Sequence, residues 1–206
     1  VKNLVIGNTS QLSKYFPEDY IKISSRNISE NFLKSQFWDN VYICYAEQRT
    51  FLAYSTDPEV SNLFNEVNYK SILNLINIIK NNSKRIVYYS TAELWNNHNG
   101  PVSTETPFSY VSNHYTNSKY NISFELKNKK KYENVCVAYP FNFNSVYRSD
   151  GYLFSKIFKS IIHKQKIQIG DVDYYRELLH PSMVVQESIK RQSEISDFLI
   201  GSGRVV

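Results

Sequence analysis

Glycine and proline occur only six times each in 206 residues, cysteine and tryptophan twice, and methionine once. So little glycine and proline leaves no flexible linker, and no internal repeat or low-complexity segment is visible. The chain reads as one large domain or a compact one and a half, long enough to bury a real core. Both cysteines, Cys44 and Cys136, stand in apolar, strand-like runs. Buried free thiols are expected there rather than a disulfide, which points to a reducing cytoplasm. No Cys/His spacing suits zinc, so no metal is expected. No apolar run approaches the roughly 18 residues of a membrane span, and no basic-then-apolar leader opens the chain. A membrane partner is therefore not expected.

The composition that remains is that of an ordinary globular protein, 42% hydrophobic and 21% charged. A net charge of +5 raises the question of nucleic acid. The densest basic run, Lys127-Asn-Lys-Lys-Lys131, lies between a helix candidate and a strand candidate, where a solvated helix end explains it and cations suit the helix dipole. Nucleic acid is not expected as a partner, although a mild positive bias would help capture a diphosphate. The abundance of Asn, Lys, Ile and Tyr reflects coding bias.

Short apolar runs at Lys2–Ile6, Tyr20–Ser24, Val41–Ala46, Arg85–Tyr89 and Val135–Tyr139 predict buried strands. Val67–Lys80 carries Val67, Ile72, Leu75, Ile76 and Ile79 at helical spacing, and Tyr115–Lys127 reads as a second helix. Strand alternating with helix predicts an α/β fold, a Rossmann-type doubly wound parallel sheet. Ligands bind such sheets beyond the carboxyl ends of the strands. Gly7, Ala46, Thr91 and Pro140 all fall on that edge. The alternation breaks at Asn142. Residues 1–141 are therefore expected to be a dinucleotide-binding domain and 142–182 a small, incomplete substrate-side lobe, with 183–206 returning to the sheet.

The chemistry concentrates at Ser90-Thr91-Ala92-Glu93 and Tyr115-Thr-Asn-Ser-Lys119. A hydroxyl, a phenol and an ammonium form a proton-transfer set for carbonyl–alcohol chemistry beside a nicotinamide ring. Tyr-x-x-x-Lys alone carries little weight in a chain with 17 tyrosines. Chance predicts about one such pair, and a second does occur at Tyr152 and Lys156.

The surroundings of the first pair are similar to those in extended short-chain dehydrogenases/reductases acting on nucleotide sugars. Tyr88-Tyr-Ser-Thr-Ala-Glu-Leu-Trp95 resembles the family's Ser-Ser/Thr-x-x-Val-Tyr-Gly segment and puts Thr91 at the catalytic Ser/Thr. Asn68 resembles the Asn that opens a family helix. Glu105 and Pro107 echo a Glu-x-x-Pro stretch, and Tyr139-Pro-Phe-Asn142 an Arg-Pro-x-Asn turn with Tyr in place of Arg. Ile169-Gly-Asp171 with Arg176-Glu-Leu-Leu-His-Pro-Ser-Met-Val-Val185 resembles a nucleotide-sugar-branch segment whose Arg binds the substrate diphosphate. Phe198-Leu-Ile-Gly-Ser-Gly203 resembles a family strand end.

The resemblance implies Thr91, Tyr115 and Lys119 as catalytic residues. It implies Gly7, Ser10, Gln11, Leu12, Ser25, Arg26, Ala46, Asn68, Lys119 and Tyr139 toward an NADP or NAD cofactor. Glu93, Asn142 and Arg176 fall toward a nucleotide-sugar substrate. A homodimer is among the assemblies it allows, and polysaccharide biosynthesis the setting. Three departures stand out. Gly7-Asn-Thr-Ser10-Gln-Leu-Ser13 keeps only the first glycine of the Gly-x-x-Gly-x-x-Gly fingerprint, and a side chain at the second position crowds a pyrophosphate. Ser10 and Ser13 could offer hydroxyls instead. Ser24-Ser-Arg26 replaces the acidic residue that pairs with the NAD ribose, which favours the 2′-phosphate of NADP. Little chain separates strands two and three, and relatives continue beyond the equivalent of Val206.

An NADP(H)-dependent reductase of a 4-keto nucleotide sugar is therefore expected. An NAD-dependent 4-epimerase and a degenerate, binding-only relative are the alternatives. Ala92 stands where 4,6-dehydratases carry their acid, which disfavours that reaction. His114 and His180 are read as packing or hydrogen-bonding residues.

Overall fold

Asn3 to Ile6 is buried without a break, as a strand covered on both faces must be, and it forms the first strand, β1 (Asn3–Ile6), of a parallel sheet. The structure is a computed structural model that describes residues 1–109, 113–148, 152–168 and 177–203. The sheet adds β2 (Ile21–Ile23), β3 (Trp38–Ile43), β4 (Ser83–Tyr89), β5 (Val135–Pro140) and β6 (Phe198–Ile200) in the order β2-β1-β3-β4-β5-β6. Every pairing is parallel. Succession reverses between β1 and β3, which places the switch-point crevice beyond their carboxyl ends. This is the expected doubly wound architecture.

Alternation along the strands sorts two apolar layers. Ile86 and Tyr88 face one side with Ile43 and Val137, against Leu33 of α1 (Glu30–Lys34), Ile72 to Ile79 of α3 (Ser71–Ile79) and Ile122 and Leu126 of α4 (His114–Leu126), numbering helices in chain order with α2 (Pro58–Asn65) lying between α1 and α3. Val87, Tyr89 and Tyr42 face the other, against Leu12, Phe16 and Val184 and Val185 of α6 (Pro181–Lys190), which follows α5 (Leu153–His163). Each fully buried Leu or Ile contributes about 1.5–3 kcal/mol.

The helix expected from Val67 starts earlier. Asp57 caps α2 by accepting the Glu59 N–H at 2.9 Å, with Pro58 in its first turn. A single π turn, Glu66–Lys70, joins it to α3. Asn68 therefore sits inside a helical run instead of opening one. The cap signal is polar, so a search for apolar periodicity passes over it. Between β2 and β3 there is only the five-residue α1. Beyond β1 the helical segment is one 3₁₀ turn, Leu12–Tyr15, ended before Pro17.

The basic run is engaged in local contacts. Lys127 lies 4.2 Å over the Phe108 ring, Lys129 pairs with Asp197 at 2.7 Å, and Lys131 with Glu125 at 2.9 Å. Cys44 and Cys136 are free and buried. Among the described residues no helix is long and apolar enough to cross a membrane, and no cluster of His, Cys, Asp or Glu could hold a metal.

Candidate active site

The end of β4 and the start of α4 bring the two halves of the proton-transfer set together. Thr91 leaves the strand in extended conformation and caps the short helical turn Ala92–Trp95, its Oγ1 accepting the Glu93 N–H at 3.2 Å. Asn113 caps α4 in the same way, accepting from Thr116 N at 2.8 Å. That fixes Tyr115 in the first turn, where the Thr91 side chain acts on its phenol. Burial first, and the Glu93 carboxylate second, push the Tyr115 phenol above its ordinary range. The Thr91 side chain and the charge of Arg148 act in the other direction.

Lys119 lies one turn along the same face of α4, 2% exposed. Its Nζ donates to the Tyr88 hydroxyl at 3.0 Å and to the Tyr89 carbonyl at 2.9 Å. Burial pulls its ammonium down to about 7. Beneath it, Ser90 and Ser123 share a hydrogen bond of 2.7 Å that ties β4 to α4.

Across the crevice Gly7 turns the chain out of β1 at φ +105°. A Cβ there would lie 2.9 Å from both Cβ and N of Tyr45, so the turn requires glycine sterically as well as conformationally. The loop behind it is closed by serines. Ser10 Oγ accepts the Ser13 N–H at 3.2 Å, and the Ser13 hydroxyl meets the Asn8 and Ser10 carbonyls at 2.9 and 2.7 Å. The Ser13 hydroxyl is thus engaged inside the loop, while Ser10 keeps its own proton to donate. Gln11 is buried. Its Oε1 accepts from Ser145 Oγ at 3.1 Å, and its Nε2 has no partner among the described residues. Leu12 packs into the apolar layer that holds Tyr42, Val87 and Val184.

At the end of β2 Ser25 is half-buried and Arg26 exposed, its N–H bonded to Ser24 Oγ at 3.1 Å. Ala46 lies half-buried in the loop after β3. Asn68, fully buried, clamps that loop. Its Oδ1 accepts the Glu47 N–H at 2.7 Å, and its Nδ2 donates to the Glu47 carbonyl and to Ser118 Oγ, each at 3.1 Å. Asn68 therefore acts on the site through the loop. The Tyr139 side chain enters the apolar layer that holds Ile86, Tyr88 and Ile122, 5.0 Å from the Trp95 ring. Glu93 and Asn142 are half-buried at the ends of β4 and β5, and the Asn142 carbonyl accepts the Leu179 N–H at 2.7 Å. Arg176, with the Gly-Asp motif before it, lies outside the described residues.

Two side chains join the site that the sequence did not single out for it. Tyr152 stands at the N-terminus of α5 and donates its hydroxyl to the Gln48 carbonyl. Arg148 lies 3.7 Å over the Tyr152 ring. The second Tyr-x-x-x-Lys pair was visible, but nothing local marked it as part of the same crevice, and Arg148 had no signal at all. Both histidines have bonding roles: His114 Nε2 meets the Ser55 carbonyl at 2.7 Å, and His180 caps α6.

The glycine turn, the unpartnered Gln11 amide nitrogen and exposed Arg26 together fit a dinucleotide laid across the switch point. No protein-family model and no curated protein matches the chain. Solved structures do match its fold. UDP-N-acetylglucosamine 4-epimerase from Methanobrevibacter ruminantium M1 superposes with a TM-score of 0.82 at 15% identity, over 100% of this chain and 77% of that one. UDP-glucuronic acid 4-epimerase from Bacillus cereus, in complex with NAD, gives 0.82 at 13% over 100% and 80%. RMD from Pseudomonas aeruginosa, complexed with NADPH, gives 0.76 at 17% over 100% and 80%. The chain has the Rossmann-type fold these structures share.

Proposed function

We propose that this protein is an extended short-chain dehydrogenase/reductase, and within that family an NADP(H)-dependent reductase of a 4-keto nucleotide sugar. The observation that carries the reading is the Tyr115 phenol, buried on α4 where the Thr91 side chain at the carboxyl edge of a parallel sheet acts on it. The structures with the same fold include nucleotide-sugar 4-epimerases and an NADPH complex, which supports the substrate class and the cofactor class.

Gly7, Ser10, Gln11 and Arg26 would hold a nicotinamide dinucleotide, which supplies the hydride. Gln11 would offer its free amide N–H to a phosphate, and Arg26 a charge-assisted contact to a 2′-phosphate. Tyr115 then delivers its proton to the sugar oxygen, and Thr91 orients that oxygen. Asn68 holds the loop that carries Ala46, which would help form the cofactor pocket. Asn142 and Arg176 would hold the nucleotide sugar.

A 4-epimerase is the competing reading, favoured by the two epimerases of the same fold. The cofactor that survives purification separates the two. Tightly retained NAD indicates the epimerase, exchangeable NADPH the reductase, and neither one a binding-only protein.

A further inference from the structure

Gln11 stands in the loop that leaves β1, and only 7% of it is exposed. The two ends of its amide are treated differently. Oε1 accepts from the Ser145 hydroxyl at 3.1 Å, a contact that spans 134 residues of chain. Nε2 is buried and has no partner among the described residues. An amide N–H kept from water and from any acceptor is costly, so this one calls for an acceptor from outside the chain. At the switch point of the sheet, a phosphate oxygen of a dinucleotide is the acceptor that fits.

Ser145 decides which end of the amide is left over. Its Oγ already accepts the Tyr147 N–H at 3.2 Å, and its own buried proton needs an acceptor. Of the two amide ends only the oxygen can serve. Ser145 therefore draws Oε1 toward itself and leaves Nε2 for a ligand. Ser145 also belongs to the substrate side of the crevice. The chain just before it is strapped to Leu179, whose N–H donates to the Asn142 carbonyl at 2.7 Å and whose carbonyl accepts the Asn144 N–H at 3.0 Å. Just after it, the Tyr147 ring lies 5.8 Å from that of Tyr15, which in turn lies 4.8 Å from His180 at the start of α6. Gln11 and Tyr15 thus join the loop after β1 to the two segments that flank the proposed substrate.

We propose that Ser145 is a positioning residue for the dinucleotide, acting through Gln11, and that the pair couples cofactor binding to the order of the substrate-side segment 142–147. This rests on the dinucleotide reading of the crevice and deepens it. With Oε1 held by Ser145, a phosphate that takes the Nε2 proton fixes the amide at both ends. The amide then holds the Ser145 hydroxyl, and with it the turn that carries Tyr147. Linkage makes the effect reciprocal. Whatever Ser145 adds to cofactor affinity, the cofactor returns as order in that segment.

The test needs no sugar substrate. NADPH is titrated by fluorescence into the parent, Ser145→Ala, Ser145→Thr and Gln11→Leu, and amide hydrogen exchange is followed by mass spectrometry with and without saturating NADPH. Ser145→Ala should weaken NADPH binding by roughly three- to tenfold, the worth of one hydrogen bond, although the serine does not touch the cofactor. Ser145→Thr keeps the hydroxyl and should bind as the parent does. Gln11→Leu should lose about tenfold or more. NADPH should slow exchange in segment 142–147 of the parent and of Ser145→Thr, and leave it unchanged in Ser145→Ala and Gln11→Leu, while the peptides of β3 and β4 exchange alike in all four. Parent-like affinity and protection in Ser145→Ala, or no rescue by threonine, overturns the proposal. A parent that binds NADPH without protecting the segment overturns the coupling and leaves the dinucleotide reading standing. A parent that binds neither NADPH nor NADH overturns both.

Discussion

Asn68 holds Glu47 by both of its peptide groups, accepting its N–H at 2.7 Å and donating to its carbonyl at 3.1 Å, while the same amide reaches Ser118 on α4. One buried side chain in a π turn therefore sets the distance between the loop after β3 and the helix that carries Tyr115. Asn68→Leu leaves the Glu47 N–H and the Ser118 hydroxyl without that partner. It should cost about 1–3 kcal/mol in urea-induced unfolding, and a cost near zero would show the clamp to be slack.

Lys119 makes stability depend on pH in a predictable direction. Below pH 7 both the folded and unfolded chains bind its proton, and the burial penalty is present in full. Between about 7 and the ordinary 10.5 only the unfolded chain binds it, so this group's contribution to stability rises with pH across that window. Lys119→Met lacks this dependence. Its unfolding free energy relative to the parent should therefore fall by on the order of a few kcal/mol between pH 6 and pH 10. Parallel curves for the two proteins would mean that the ammonium is well solvated.

The sheet was legible because buried parallel strands read as short apolar runs, and five of them were expected within a few residues of where they lie. The pairing of Thr91 with Tyr115 was legible for a different reason: both are fixed by local caps, at the end of a strand and the start of a helix. Asn68 was identified, but its role was not, since a residue's place in a motif does not reveal which loop its amide will face. Arg148 was invisible because it reaches the site by stacking on Tyr152, a contact made by chain folding and carrying no periodicity. The serines of the β1 loop illustrate the same limit. Their sequence suggested hydroxyls for phosphate, whereas packing turned the Ser13 hydroxyl inward to Asn8 and Ser10.

Arg26, exposed at the end of β2, should set cofactor preference. NADPH is expected to bind more tightly than NADH by about 1–3 kcal/mol, and Arg26→Asp to erase or invert the difference. Fluorescence titration of both cofactors checks this, and equal affinities for the parent would remove Arg26 from the site.

Arg176 is the residue proposed for the substrate diphosphate. Arg176→Ala should weaken nucleoside diphosphate binding roughly ten- to a hundredfold, with cofactor affinity little changed. Calorimetry of the four common nucleoside diphosphates against parent and variant measures it. An unchanged dissociation constant would move the diphosphate elsewhere.

Transfer of deuterium from NADPH labelled at the nicotinamide C4 position into UDP- and dTDP-linked 4-keto hexoses, followed by mass spectrometry of the sugar, tests the catalytic assignment most directly. The parent protein should return the 4-hydroxy nucleotide sugar carrying one deuterium at the sugar C4. Tyr115→Phe should lower the rate by on the order of 10²–10⁴ with the fold intact, and Tyr152→Phe should not. No label in any product from the parent, or loss of transfer in Tyr152→Phe while Tyr115→Phe stays active, would contradict it.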